Sequence, residues 1–143
     1  MDISGNSAQE MVSRLSKESQ FSDLNFVVAY ENEIKPTPLD KPIVAVSVKS
    51  CEIGDRNNTT LETGEIVDVD TRNINLTLSV DIYLPYSKGG SEGHKIFDRI
   101  ATFLLYTEKL PITKAICYNA DYDSTCQAII LRTQFTFSSI MPT

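Results

Sequence analysis

The sequence predicts an α+β fold: an antiparallel sheet, mixed at most, with an N-terminal helix and one long helix packed on a single face. Three observations predict it. From Arg72 to Tyr86, Ile74, Leu76, Leu78, Val80, Ile82 and Leu84 alternate with more polar residues. That two-residue period marks a long strand with one buried and one wet face. From Glu92 to Tyr106, Ile96, Phe97, Ile100, Phe103 and Leu104 recur at helical spacing, enough to cover a sheet. Segments 112–120 and 125–138 flank Asp121-Tyr122-Asp123-Ser124, which reads as a turn, so they pair as a hairpin. Helices gathered on one face of such a sheet leave its other face to solvent.

Taken in order, residues 7–18 read as an amphipathic helix. Ala8, Met11, Val12 and Leu15 share one face, Ser7 is the expected N-cap and Glu10 its reciprocal partner. Residues 21–30 read as a first strand with Leu24, Phe26 and Val28 on one face. Glu31 to Pro42 holds Pro36, Pro38 and Pro42, which remove backbone donors and mark a connecting loop. Residues 43–53 form a second, β-branched strand with Val44, Val46 and Val48 facing one way. Residues 54–71 are polar and read as a long acidic loop between strands two and three. Residues 72–86 are the long alternating strand. Gly89, Gly90 and Gly93 make a turn, with Ser91 placed to cap the helix over 91–106. The hairpin of 112–120 and 125–138 closes the chain. One domain, 1–143, accommodates all of this.

Composition excludes several functions. The 143 residues carry a net charge of −6, and the 13 basic residues are scattered singly. A grip on a nucleic-acid backbone needs a basic patch, so direct DNA binding is disfavoured. A negative surface can still lie beside DNA that must pass without sticking. Cys51, Cys117 and Cys126 are odd in number and form no CxxC pair. That argues against a disulfide framework or closed zinc site, and for reduced thiols. Cys117 and Cys126 flank the expected hairpin turn and could approach across it. Met1 to Gly5 lacks the features of a signal peptide, and no apolar run suits a membrane helix. The Asn-x-Thr triplets at Asn57, Asn58 and Asn75 then read as chance.

No catalytic, cofactor or metal constellation emerges, and no enzyme activity is expected. His94 is the sole histidine, set at the start of a helix, without a motif supplying a nucleophile or an orienting acid. The Asp68/Asp70 and Asp121/Asp123 pairs lack the ligand spacing of a calcium loop, and the second pair reads as a turn bonding its own backbone. The glycines from Gly89 to Gly93 lack the pattern of a phosphate loop. The segment that stands out is the acidic one. Connections of that length are commonly functional or disordered. Asp55, Glu62, Glu65, Ile66, Val67, Asp68, Val69 and Asp70 are the candidate contact residues, the three apolar ones suited to docking on a partner strand. A solvated loop with no partner is the plain alternative.

The order of elements resembles a known group. A short helix, strands, a long polar segment and the strand from Arg72 to Tyr86 come first. A glycine turn, the Ile96/Phe97/Ile100/Phe103 helix and a closing hairpin follow. This looks like the tail-terminator (tail-completion) and neck proteins of tailed bacteriophages, and the related collar proteins of contractile phage-tail-like bacteriocins. The resemblance spans nearly the whole chain and rests on element order, size and texture.

It implies a homo-oligomeric ring, expected to be hexameric, joined head to tail. The ring would cap the tail tube, stop its growth and join the tail to the neck or head. Partners would be the tube protein, with sheath and portal-side proteins as further candidates. DNA would at most pass through the lumen, no membrane would be involved, and assembly would occur in the bacterial host cytoplasm. Two alternatives stay open. One is another head–tail connector or neck adaptor. The other is a small ligand-binding α+β domain, with His94, Asp98 and Tyr83 as its pocket residues.

Overall fold

The computed structural model describes residues 5–29, 41–124 and 127–142. The fold is α+β. Helix α1 (Ser7–Ser16) precedes strands β1 (Asn25–Val28), β2 (Ile43–Thr60) and β3 (Ile66–Pro85). Helix α2 (Gly90–Thr102) then leads to β4 (Ile112–Asp123) and β5 (Ala128–Pro142). The five strands form one sheet in the order β1-β2-β3-β5-β4. Strand β1 runs parallel to β2, and the other pairs are antiparallel. The sheet is therefore mixed.

The period-two reading of β3 is borne out. Ile74, Leu78, Val80, Ile82 and Leu84 are buried, and Leu76 packs against the same core. Both helices join that core. Ala8, Met11, Val12 and Leu15 of α1 and Ile96 and Ile100 of α2 meet Val44, Val46, Leu131 and Phe135 of the sheet. Both helices therefore cover one face. On the opposite face a small cluster of Ile43 and Ala128, flanked by Val27 and Tyr83, is also buried. Further toward the β2–β3 turn that face is polar: the Thr77 and Thr136 hydroxyls lie 3.1 Å apart, and Ser138 donates to Asn75 Oδ1 at 2.6 Å.

Two features fix how α2 lies on the sheet. Gly93 faces Leu84 and Leu131 so closely that a β-carbon there would meet Leu84 Cδ1 at 2.9 Å. The helix can approach β3 and β5 only because position 93 lacks a side chain. At the other end α2 runs into a π-turn over Phe103–Thr107, with the Glu108 N–H bonding the Phe103 carbonyl at 2.9 Å. The wider turn brings both Phe103 and Leu104 into the core.

Several expectations need correction. The acidic segment 54–71 is not a loop. Strand β2 continues to Thr60 and β3 starts at Ile66, so the two form a long hairpin closed by residues 61–65. Backbone pairing along the hairpin supplies the hydrogen bonds, and the β2 leg from Asp55 to Thr60 carries no apolar alternation that would mark it as strand.

The first strand shrinks to Asn25–Val28. Phe21 belongs to a 3₁₀ turn, Ser19–Phe21, and Val28 is exposed rather than facing the core. The N-cap of α1 is Asn6, not Ser7, and it makes no side-chain cap bond. Ser91 lies inside α2 rather than capping it; the helix begins at Gly90, after Gly89 at φ 79°. Gly93 belongs to the helix, not to a turn.

Asp121 to Asp123 extend β4 instead of turning, and Arg132 of β5 donates to Asp121 Oδ2 at 2.8 Å. Strand β5 begins at Ala128 and runs on to Pro142. The connecting loop with Pro36 and Pro38, and Cys126, lie outside the described residues.

Candidate functional site

The candidate residues gather on one projecting feature. Strand β5 accompanies β3 as far as Thr71, which pairs with Pro142. Beyond that point, among the described residues, the hairpin pairs only with itself, with Asn58, Thr59 and Thr60 opposite Asp68, Val67 and Ile66. We call this distal ribbon the arm. Its turn is tied by two backbone bonds: Gly64 N–H to the Leu61 carbonyl and Leu61 N–H to the Glu65 carbonyl, both 2.8 Å. Gly64 at φ 87° supplies the left-handed residue the turn requires.

Asp55 sits on β2, Glu62 and Glu65 in the turn, and Ile66, Val67, Asp68, Val69 and Asp70 on β3. The acids Asp55, Glu62, Glu65 and Asp68 are exposed. Between residues 54 and 71 five acids stand against Arg56, so the arm and its root hold −4 of the chain's net −6. The arm is also apolar in places. Ile66 is 66% exposed, Leu61 43%, and Ile53 at the arm's base 47%. Val67 and Val69 are half-buried. A scattered exposed leucine means little. Two large side chains exposed on one ribbon, with a third at its base, make an apolar surface suited to cover by a partner.

Sequence reasoning read this segment as a loop, and the structure makes it a hairpin. A signal was present. Thr59, Thr60, Val67 and Val69 are β-branched and straddle a five-residue stretch containing Gly64, the pattern of two strands and a hairpin loop.

The residues put forward for a pocket are not brought together. Tyr83 packs with Ile43 and Ala128 on the face away from the helices. His94 lies on α2, whose far side of the sheet this is, and its Nδ1 is 3.5 Å from Cys117 Sγ on β4. Burial, aided by the negative charge of Asp98, pushes the Cys117 thiol above its ordinary pKa. A nucleophilic cysteine needs the opposite shift. Among the described residues, no three His, Cys, Asp or Glu side chains form a group fit for a metal ion. Cys51 and Cys117 are free thiols.

Other surface features are shallow. An open groove of about 180 Å³ lies between α1 and the sheet, lined by Met11, Leu76, Leu78, Leu110 and Phe137 with Glu10 and Arg14 at its rim. At the end of the sheet away from the arm, Tyr86 and Tyr122 meet edge to face at 5.1 Å while both stay largely exposed. No helix among the described residues is long and apolar enough to cross a membrane.

A scan against protein-family models finds none that matches this chain, and a search of curated proteins finds no match.

Proposed function

We propose that this chain is a structural ring protein that caps the end of a phage or phage-like tail tube, ends tube growth and joins the tail to its neck or head. The observation that carries the reading is the arm: two strands without a third among the described residues, with Leu61 and Ile66 exposed beside the acids. A lone two-stranded ribbon is marginal in water. One that also exposes large apolar side chains gains from docking on another surface, and a protein built for assembly needs such an element. Docking of an arm on a different patch of the next copy is a head-to-tail contact, and such contacts form a ring when the rotation between copies closes. The resemblance in element order supports the same reading, and the acidic net charge suits a lumen that lets DNA pass.

The test is the solution mass by light scattering, with and without the tube protein. A ring-sized species, alone or on adding tube, supports the proposal. A strict monomer that ignores the tube overturns it. Binding to a portal-side protein in place of the tube would move the assignment to a neck adaptor.

A further inference from the structure

The root of the arm is the weakest point of the sheet by its pairing. Three register irregularities fall between Val48 and Asn58: at Val48/Ser50, Ile53/Arg56 and Arg56/Asn58. Each such break bends a strand and raises its twist. The last two coincide with the place where β5 ends, opposite Thr71. Among the described residues the third strand and the regular ladder therefore stop at one level. A ribbon leaving a sheet there would sample a range of directions unless something tied it down.

Side chains tie it down. Ile53 pairs with Ile74 and Arg56 with Arg72, so Gly54 and Asp55 have no register partner on β3. Arg72 Nη1 donates to the Gly54 carbonyl at 3.0 Å, directly across this irregular step. Asn57 Nδ2 donates to Thr71 Oγ1 at 2.9 Å and reaches Asn73 Oδ1 at 3.4 Å. Arg72 stands opposite Arg56 across the ladder, and its guanidinium turns to the Gly54 carbonyl in a charge-assisted bond.

We propose that Arg72 and Asn57 form a clasp that sets the direction of the arm relative to the sheet, and so determines which surface of a partner it reaches. Arg72 is a positioning residue in this scheme: it acts on a partner through the arm. The consequence for assembly rests on the ring reading above. The clasp itself does not, and the test separates them.

The test places nitroxide labels at Thr63→Cys in the arm turn and Lys95→Cys on α2, both exposed sites, in full-length chain with Cys51, Cys117 and Cys126 changed to Ser. Pulsed electron–electron resonance then gives the distance distribution. The clasped chain is expected to give one narrow peak. Arg72→Met with Asn57→Ala is expected to broaden it roughly twofold while core amide protection stays intact. Arg72→Lys, which keeps a donor for the Gly54 carbonyl, is expected to restore most of the narrowness. Superimposable distributions in clasped and unclasped chains would overturn the proposal. Broadening accompanied by loss of core protection would overturn it too, because Arg72 would then be an ordinary fold-stabilising residue. A clasped chain that stays monomeric beside tube protein sinks the ring reading and leaves the distance result standing.

Discussion

Gly93 of α2 sits against Leu84 of β3 with no room for a methyl group: a β-carbon would come to 2.9 Å from Leu84 Cδ1 and 3.2 Å from Leu131 Cδ2. Both leucines are fully buried, so neither can swing aside into solvent. Alanine at position 93 gains about 1 kcal/mol in helix propensity. Overpacking costs roughly 1–3 kcal/mol. Gly93→Ala should therefore be net destabilising, by about 1 kcal/mol at the centre of those ranges, and Gly93→Val more so. Urea titration measures it. A stabilised Gly93→Ala chain would show that α2 can lift off the sheet without penalty.

Leu78 lies on the helix-covered face of β3 at 2% exposure, next to Phe135 on β5. An aspartate there would have to shed its hydration or its charge among apolar neighbours. Leu78→Asp should fail to give soluble, cooperatively folding protein. A sharp thermal transition in that variant would contradict the assigned strand facing.

Arg99 of α2 grips Asp23 with two bonds of 3.1 and 3.0 Å, bonds the Gln20 carbonyl, and lies over the Phe21 ring at 5.4 Å. The hydrogen bond and charge of Arg99 hold the Asp23 carboxyl below its ordinary pKa, outweighing partial burial. A depressed carboxylate stabilises the fold above its unfolded pKa, near 4, and loses that contribution as pH falls through its folded value. Asp23→Asn should therefore cost stability at neutral pH and flatten the acid limb of the stability curve below about pH 4. The pair is partly exposed, so the loss should not exceed about 1 kcal/mol. Denaturant melts at pH 7 and pH 3 check the sign; equal losses at both would rule out the linkage.

Ile66 is 66% exposed, so Ile66→Asp should change stability by less than about 0.5 kcal/mol. On the ring reading it should nonetheless cut assembly with tube protein sharply. The companion variant excises Asn58–Asp68 and joins Asn57 to Val69 through an Asn-Gly turn. It should keep the body folded and lose assembly altogether. Unchanged particle length and yield in both variants would remove the arm from the functional account.

The fold was legible wherever burial imposes a period. The α1 face of Ala8, Met11, Val12 and Leu15, the β3 alternation and the α2 stripe all read directly, because one side of each element meets the core. The arm was legible as strand only in its β-branched residues around Gly64, not in a period. From Asp55 to Thr60 neither side of β2 is covered, so nothing selects apolar residues at alternate positions. Strand β1 was overextended because Phe21 and Leu24 are buried through a 3₁₀ turn rather than a pleat. The acidic character of segment 54–71 was legible from its composition. The Arg72–Gly54 bond was not, since it depends on a register break that no residue pattern announces.

Strand β3 is both the middle of the sheet and one leg of the arm. A pull on the arm tip along its length therefore loads both legs of the hairpin at once, and passes from β2 to the ladder with β1 and from β3 to the ladder with β5. Those bonds run across the strands, so they resist in shear, many at once, instead of unzipping one after another. Tension applied at the tip of the arm is thus carried in part by the strand at the middle of the sheet.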